Sequence, residues 1–205
     1  MRTLPILFNT EMVRAILDDR KTCTRRVIKD AVKENQEINK NGKGEFELYD
    51  ITSRCGIPKG KIYNPPYQPG DILYVRETWH KYTKRVGNGE SCHLAEFYGY
   101  KASIANSEDA NEPWKPSIHM PKEAARIWLK VTDVRVERLQ EMDKTDALKE
   151  GIDPRLCINL SHALTKFKKI WDSTIKKSDL DIYGWKANPW VWVIEFERCE
   201  KPGKE

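Results

Sequence analysis

Apolar and polar positions change period several times along the chain, and each change predicts an element. Residues 4–8 are a short apolar run that reads as a first strand. Asn9 or Thr10 then caps a helix, Glu11 suits its positive end, and Met12, Val13, Ile16 and Leu17 form one apolar stripe. This helix is expected to end near Asp18 and Asp19. Residues 22–28 read as a strand with Thr24 and Arg26 on one face and Cys23 and Arg25 on the other. Residues 72–75 form a strand that leads into Arg76-Glu77-Thr78-Trp79. The clearest long strand covers 127–136. Ile127, Leu129 and Val131 share one face, while Val134 and Val136 have the opposite parity, and a bulge near Thr132 and Asp133 would reconcile the two. Residues 145–150 read as a short helix stopped by Gly151. Leu160, Leu164, Phe167 and Trp171 mark a longer helix. Trp190, Trp192, Ile194 and Phe196 alternate with Val191, Val193, Glu195 and Glu197, which predicts a final strand.

Two stretches break this rhythm. Residues 29–66 are polar, with the Asn39 to Gly44 segment as a flexible turn and a basic, proline-bearing run from Lys59 to Tyr67, so they read as an insertion holding a hairpin. Residues 80–116 form a second insertion, with a strand over 94–102 and an acidic, proline-flanked loop over 106–116. Strands with strong alternation beside a few helices predict an α+β fold, a small mixed barrel built as a single domain over residues 1–205. Trp128, Trp171, Trp190 and Trp192 follow strand or helix periodicity and are assigned to the core.

Composition narrows the partners. A net charge of +5 and a pI near 8.8 allow a phosphate-bearing ligand without demanding one. Mean hydropathy of -0.71 with 33% charged residues leans toward disorder, but seven Trp and eight Tyr argue for a packed chain. The five cysteines, Cys23, Cys55, Cys92, Cys157 and Cys199, are widely spaced with no C-x-x-C, so they read as reduced thiols. Cys92 and His93 have no second ligand pair nearby, and neither a metal nor a cofactor is expected. The first eight residues lack a signal-peptide pattern and are too short to span a bilayer, so no membrane partner is expected and the location is expected to be cytoplasmic.

The chemistry concentrates in Asp19-Arg20-Lys21-Thr22-Cys23-Thr24-Arg25-Arg26, where a lysine, a hydroxyl and an arginine lie within six residues. This order resembles the G-x-K-x-x-[E/T]-x-R signature of ASCH domains, small barrels of the PUA-like superfamily. Further segments follow the same family order: Pro69-Gly70-Asp71-Ile72-Leu73, Glu150-Gly151 and Val193-Ile194-Glu195-Phe196. Together they account for roughly half of the chain. Val75-Arg76-Glu77-Thr78-Trp79 and the Trp114 to Pro121 stretch, with Ser117 and His119, look most like phage and prophage ASCH proteins. One departure is Asp19, which stands where the family commonly has glycine. Aspartate tolerates a positive φ better than most residues.

The resemblance implies a site. Small ASCH relatives include an amidohydrolase that removes the acetyl group from N4-acetylcytidine. Its lysine, its threonine three residues on and its downstream glutamate fall on Lys21, Thr24 and Glu150. In that reading Thr24 attacks the acetyl carbonyl, Lys21 takes the hydroxyl proton, Glu150 handles the leaving amine, and Arg26 offsets negative charge. Glu150, at the negative end of its short helix, is favoured in its protonated form, which suits a general acid. Parity cuts the other way. Residues three apart face opposite sides of a strand, so Lys21 and Thr24 cooperate only if Lys21 precedes the strand or its stem curls back. The resemblance also implies a modified nucleoside or RNA as partner, with Arg25, Arg26, Trp79, Ser117 and His119 as candidate substrate-binding residues. The competing reading is an RNA-binding module or ribonuclease, with Lys21, Arg25, Arg26, Lys59 and Lys61 as a phosphate track, Tyr63, Tyr67, Trp79 and Trp114 as stacking surfaces, and His119 as an acid or base. The blandest reading leaves Lys21 and Glu150 solvated and Trp79 in the core.

Overall fold

The computed structural model describes residues 1–29, 36–52, 56–88, 91–103 and 113–203. In chain order these form β1 (Thr3–Leu7), α1 (Thr10–Leu17), β2 (Cys23–Val27), β3 (Gln36–Lys40), β4 (Phe46–Asp50), β5 (Ile57–Tyr63), β6 (Ile72–Arg76), β7 (Trp79–Val86), β8 (His93–Tyr100), β9 (Trp128–Arg138), α2 (Asp146–Lys149), α3 (Leu160–Thr174), α4 (Leu180–Tyr183) and β10 (Trp190–Cys199). The class is α+β, as the alternation predicts. The chain folds into two compact units, residues 1–19, 71–130 and 197–205 in one, and residues 20–70 and 131–196 in the other. Cys55 and the acidic Glu108-Asp109 pair lie outside the described residues.

In the first unit β1 runs parallel to β6, pairing Thr3 with Ile72 through Leu7 with Arg76. β6 is antiparallel to the start of β9, with Leu73 opposite Leu129. The Asn9 side chain caps α1 by accepting from the Met12 N–H at 2.9 Å, and Val13, Ala15 and Ile16 are buried. Past the helix Asp19 has φ 55, the left-handed value that glycine takes most easily. The second insertion carries the β7–β8 hairpin, paired from Trp79 with Tyr100 to Val86 with His93. Its inner side joins Ile72, Met120, Ala124, Ala125 and Trp128 in one apolar cluster through Trp79. Glu77 is buried and bound through both oxygens by Arg126, at 2.9 and 3.0 Å, a paired charge in an apolar setting.

In the second unit the first insertion is a three-stranded antiparallel sheet of order β3-β4-β5, one strand more than a hairpin. β10 lies between β9 and β2 and pairs antiparallel with β2, Glu195 opposite Cys23 and Val191 opposite Val27. Residues Trp190 to Ile194 are all buried, because β10 is covered on both faces. Val191 and Val193 belong to a cluster with Phe167 and Trp171 of α3, while the Trp192 ring meets Phe46 of β4 edge-on at 4.9 Å. Asn159 caps α3 on the His162 N–H at 2.9 Å. Burial of a side chain such as Phe167 contributes roughly 1.5–3 kcal/mol. Along β9 the buried positions change parity between Val131 and Val134, as their spacing predicts. The ladders are open at β1 and at β2, so the described residues make a mixed sheet and no closed barrel.

Candidate active site

The site grows from the outer edge of β2. The Phe196 N–H bonds the Thr22 carbonyl and the Ile28 N–H bonds the Trp190 carbonyl. From Thr24 to Ile28 even-numbered residues therefore turn their backbone groups toward β10 and odd-numbered ones turn theirs to the outer edge, while Thr22 is split, its carbonyl toward β10 and its N–H toward the outer edge. β2 is the last strand of its ladder, so that edge is open to other segments. The turn after α2 fills it. Thr22 donates to the Lys149 carbonyl at 2.9 Å, and Lys21 forms an antiparallel bridge with Glu150.

Lys21 precedes β2, and its stem runs along the strand edge. The amine donates to the Cys23 carbonyl at 2.8 Å, to the Glu150 carbonyl at 2.9 Å and to Glu150 Oε2 at 2.7 Å. Three donors meet three acceptors. The Lys21 and Glu150 side chains are 1% and 6% exposed, so this is a buried ion pair rather than a solvated one. The carbonyl that Lys21 holds is joined by its peptide bond to Thr24. Lys21 thus precedes the strand and bonds at its edge, on the carbonyl of the peptide that leads into Thr24. Thr24 is itself buried, on the strand face that carries Arg26 and opposite Ile194.

The other strand face carries Cys23 and Arg25. The Arg25 guanidinium reaches Glu150 Oε1 at 3.3 Å, Asp146 Oδ2 at 2.8 Å and Glu137 Oε2 at 3.4 Å. Burial opposes its charge, but Glu150, Cys23, Asp146 and Glu137 hold its pKa above the ordinary arginine value. Arg135 extends the network, bonding Glu137, Asp133 at 3.2 Å and Glu195 at 2.7 Å. Glu150 thus stands between two cations, one on each oxygen. Helix α2 is one turn long and Glu150 is the residue after it, so these cations, more than a helix end, define its surroundings. Arg26 is exposed as a residue, yet protein crowds its guanidinium enough for burial to lower its pKa, against the pull of Tyr67 and Glu150. Burial raises the Tyr67 pKa, and Arg26 opposes that rise.

No known protein family, no curated protein and no solved structure matches this chain. The site is therefore read from its own residues. Lys21, Thr24, Arg25, Arg26 and Glu150 all belong to the second unit. Arg25, expected to bind substrate, faces inward, with its charge met by three carboxylates. Trp79, Ser117 and His119 belong to the first unit. Trp79 is a core residue there, with Lys115 over its ring at 5.2 Å. Ser117 and His119 begin and end a single 3-10 turn on which His119 is exposed. Sequence reasoning missed Asp146, Glu137 and Arg135. Asp146 stands four residues before Glu150, and Arg135 and Glu137 share one strand parity, but neither spacing names Arg25 as the partner. Among the described residues no group of three His, Cys, Asp or Glu side chains is placed to hold a metal ion, and no helix is long and apolar enough to cross a membrane.

Cys23 gives a direct check on this environment. Burial, followed by the Glu150 charge, pushes its thiol up to about 12, against the opposing effect of Lys21 and Arg25. A raised thiol pKa keeps the proton on at neutral pH. At pH 8 its thiolate fraction is expected to be about a thousandfold below that of an unperturbed thiol. Alkylation of the native protein followed by peptide mass analysis should label exposed Cys92 and spare Cys23. Equal labelling rates would contradict the burial of the cluster.

Proposed function

We propose that this chain is an ASCH-type, PUA-like amidohydrolase acting on N4-acetylcytidine or a similar acylated nucleoside. The observation that carries the reading is the Lys21 amine, held 2.7 Å from the Glu150 carboxylate and bonded to the carbonyl that precedes Thr24. A lysine serves as a base only when neutral. The adjacent carboxylate offers its proton a place to go, which leaves a neutral amine on the carbonyl that precedes Thr24 and a carboxylic acid beside the amine.

The reaction then runs with its protons accounted for. The Thr24 oxygen bonds to the acetyl carbon and its proton passes to Lys21. The tetrahedral oxyanion is stabilised by positive charge, for which Arg26, on the Thr24 side of the strand, is the candidate. The C–N bond breaks, and the exocyclic amine of cytosine leaves with a proton from the Lys21–Glu150 pair. Water then cleaves the acetyl ester and restores Thr24. The overall reaction consumes water alone.

The RNA-track reading draws less support. Two of its five cations, Lys21 and Arg25, are buried and neutralised by carboxylates. A third, Lys59, is paired with Asp50 at 3.0 Å. A ribonuclease reading rests on His119, which is exposed and has no carboxylate bonded to it among the described residues. The test is incubation of the purified protein with N4-acetylcytidine. Cytidine and acetate are expected in equal amounts. No turnover, together with tight RNA binding that weakens steeply with salt, would replace this reading with the RNA one.

A further inference from the structure

We propose that Arg25 is the positioning residue of the Lys21–Glu150 pair: it anchors one oxygen of Glu150 so that the other meets the Lys21 amine, and it shares the charge of that carboxylate. The consequence for catalysis rests on the amidohydrolase reading; the electrostatic coupling does not.

The geometry is specific. Glu150 Oε1 accepts from Arg25 Nη1 at 3.3 Å while Oε2 accepts from Lys21 Nζ at 2.7 Å. The carboxylate is therefore held at both ends and cannot turn without breaking one bond. Arg25 is itself fixed, through Nη2, by Asp146 at 2.8 Å and Glu137 at 3.4 Å. Its Nε is buried without a partner, so the guanidinium sits where the carboxylates place it rather than where all its donors are satisfied. A guanidinium fork is suited to such a junction, whereas an ammonium supplies charge without the fixed geometry.

The surrounding charges settle the direction of the effect. From β2 come Cys23 and Arg26, and just before it Arg20, which bonds the Gly151 carbonyl. The α2 turn contributes Asp146 and Lys149, whose amine lies 3.5 Å from Asp146 Oδ1. From β9 come Asp133, Arg135 and Glu137, and from β10 comes Glu195. Arg135 already serves Asp133, Glu137 and Glu195. Without Arg25, the full charge of Glu150 acts on Lys21, with Asp146 adding to it. The amine then holds its proton more firmly and is a poorer base near neutral pH.

The test compares wild type, Arg25→Gln and Arg25→Lys by two measurements. The first follows the Lys21 side-chain carbon resonance against pH by NMR. The second is the acid limb of the pH–rate profile on N4-acetylcytidine. In Arg25→Gln both midpoints are expected to move up by about one pH unit, and Arg25→Lys is expected to return most of that shift. Unmoved or lowered midpoints in a folded Arg25→Gln protein would overturn the proposal. Should Arg25→Gln fail to fold, Glu137→Gln decides. Removing that carboxylate, 22% exposed, leaves more of the Arg25 charge for Glu150, so the midpoints fall, and an upward or absent shift overturns the proposal. If wild type shows no turnover, the amidohydrolase reading fails while the NMR titration still decides the role of Arg25.

Discussion

Glu150→Ala is expected to destabilise the folded protein by about 3–5 kcal/mol, the penalty typical of removing one partner from a buried ion pair. The size follows from what remains. Lys21 is 1% exposed and would lose the carboxylate 2.7 Å from its amine, and Arg25, equally buried, would lose one of its three carboxylates. The double variant Lys21→Met with Glu150→Leu is expected to recover most of the loss, since apolar groups of similar volume replace a buried pair at little cost. Urea unfolding of wild type, single and double variants measures both effects. A single variant within about 1 kcal/mol of wild type would show that the pair is solvated, the value expected of a surface salt bridge.

Much of this arrangement is readable along the chain because it is local. The strand over β2 and the opposite faces of Thr24 and Arg25 follow from alternation. The tolerance of aspartate for a positive φ is legible at Asp19, whose φ of 55 puts it in the left-handed region. The apolar spacing of Phe167 and Trp171 places them in one buried cluster with Ala163. What sequence spacing does not carry is pairing over distance. Arg25 finds its carboxylates 112, 121 and 125 residues along the chain, and no periodicity links those positions. The same limit applies to β10. Its alternation suggests one inner and one outer face, but β4 on one side and α3 on the other bury both. A basic run such as Thr22 to Arg26 reads as a cationic surface until the acidic turn that covers it is located.

The second large effect concerns turnover. Thr24→Ala removes the proposed nucleophile, and Lys21→Ala removes its base. Each is expected to lower the rate on N4-acetylcytidine by about a hundredfold or more. The two losses should not add, because each residue is useless without the other, so the double variant should resemble the slower single one. Lys21→Ala also disturbs the buried pair, and its folding must be checked by urea unfolding before its rate is interpreted. Thr24→Ala leaves the Lys21–Glu150–Arg25 bonds untouched and is the cleaner probe, with Thr24→Ser as the control that keeps a hydroxyl. The decisive measurement is therefore cytidine release from N4-acetylcytidine by wild type, Thr24→Ala and Thr24→Ser side by side. Turnover by wild type, retained in the serine variant and lost in the alanine variant, is the predicted result, whereas turnover that continues unchanged in Thr24→Ala would contradict the account.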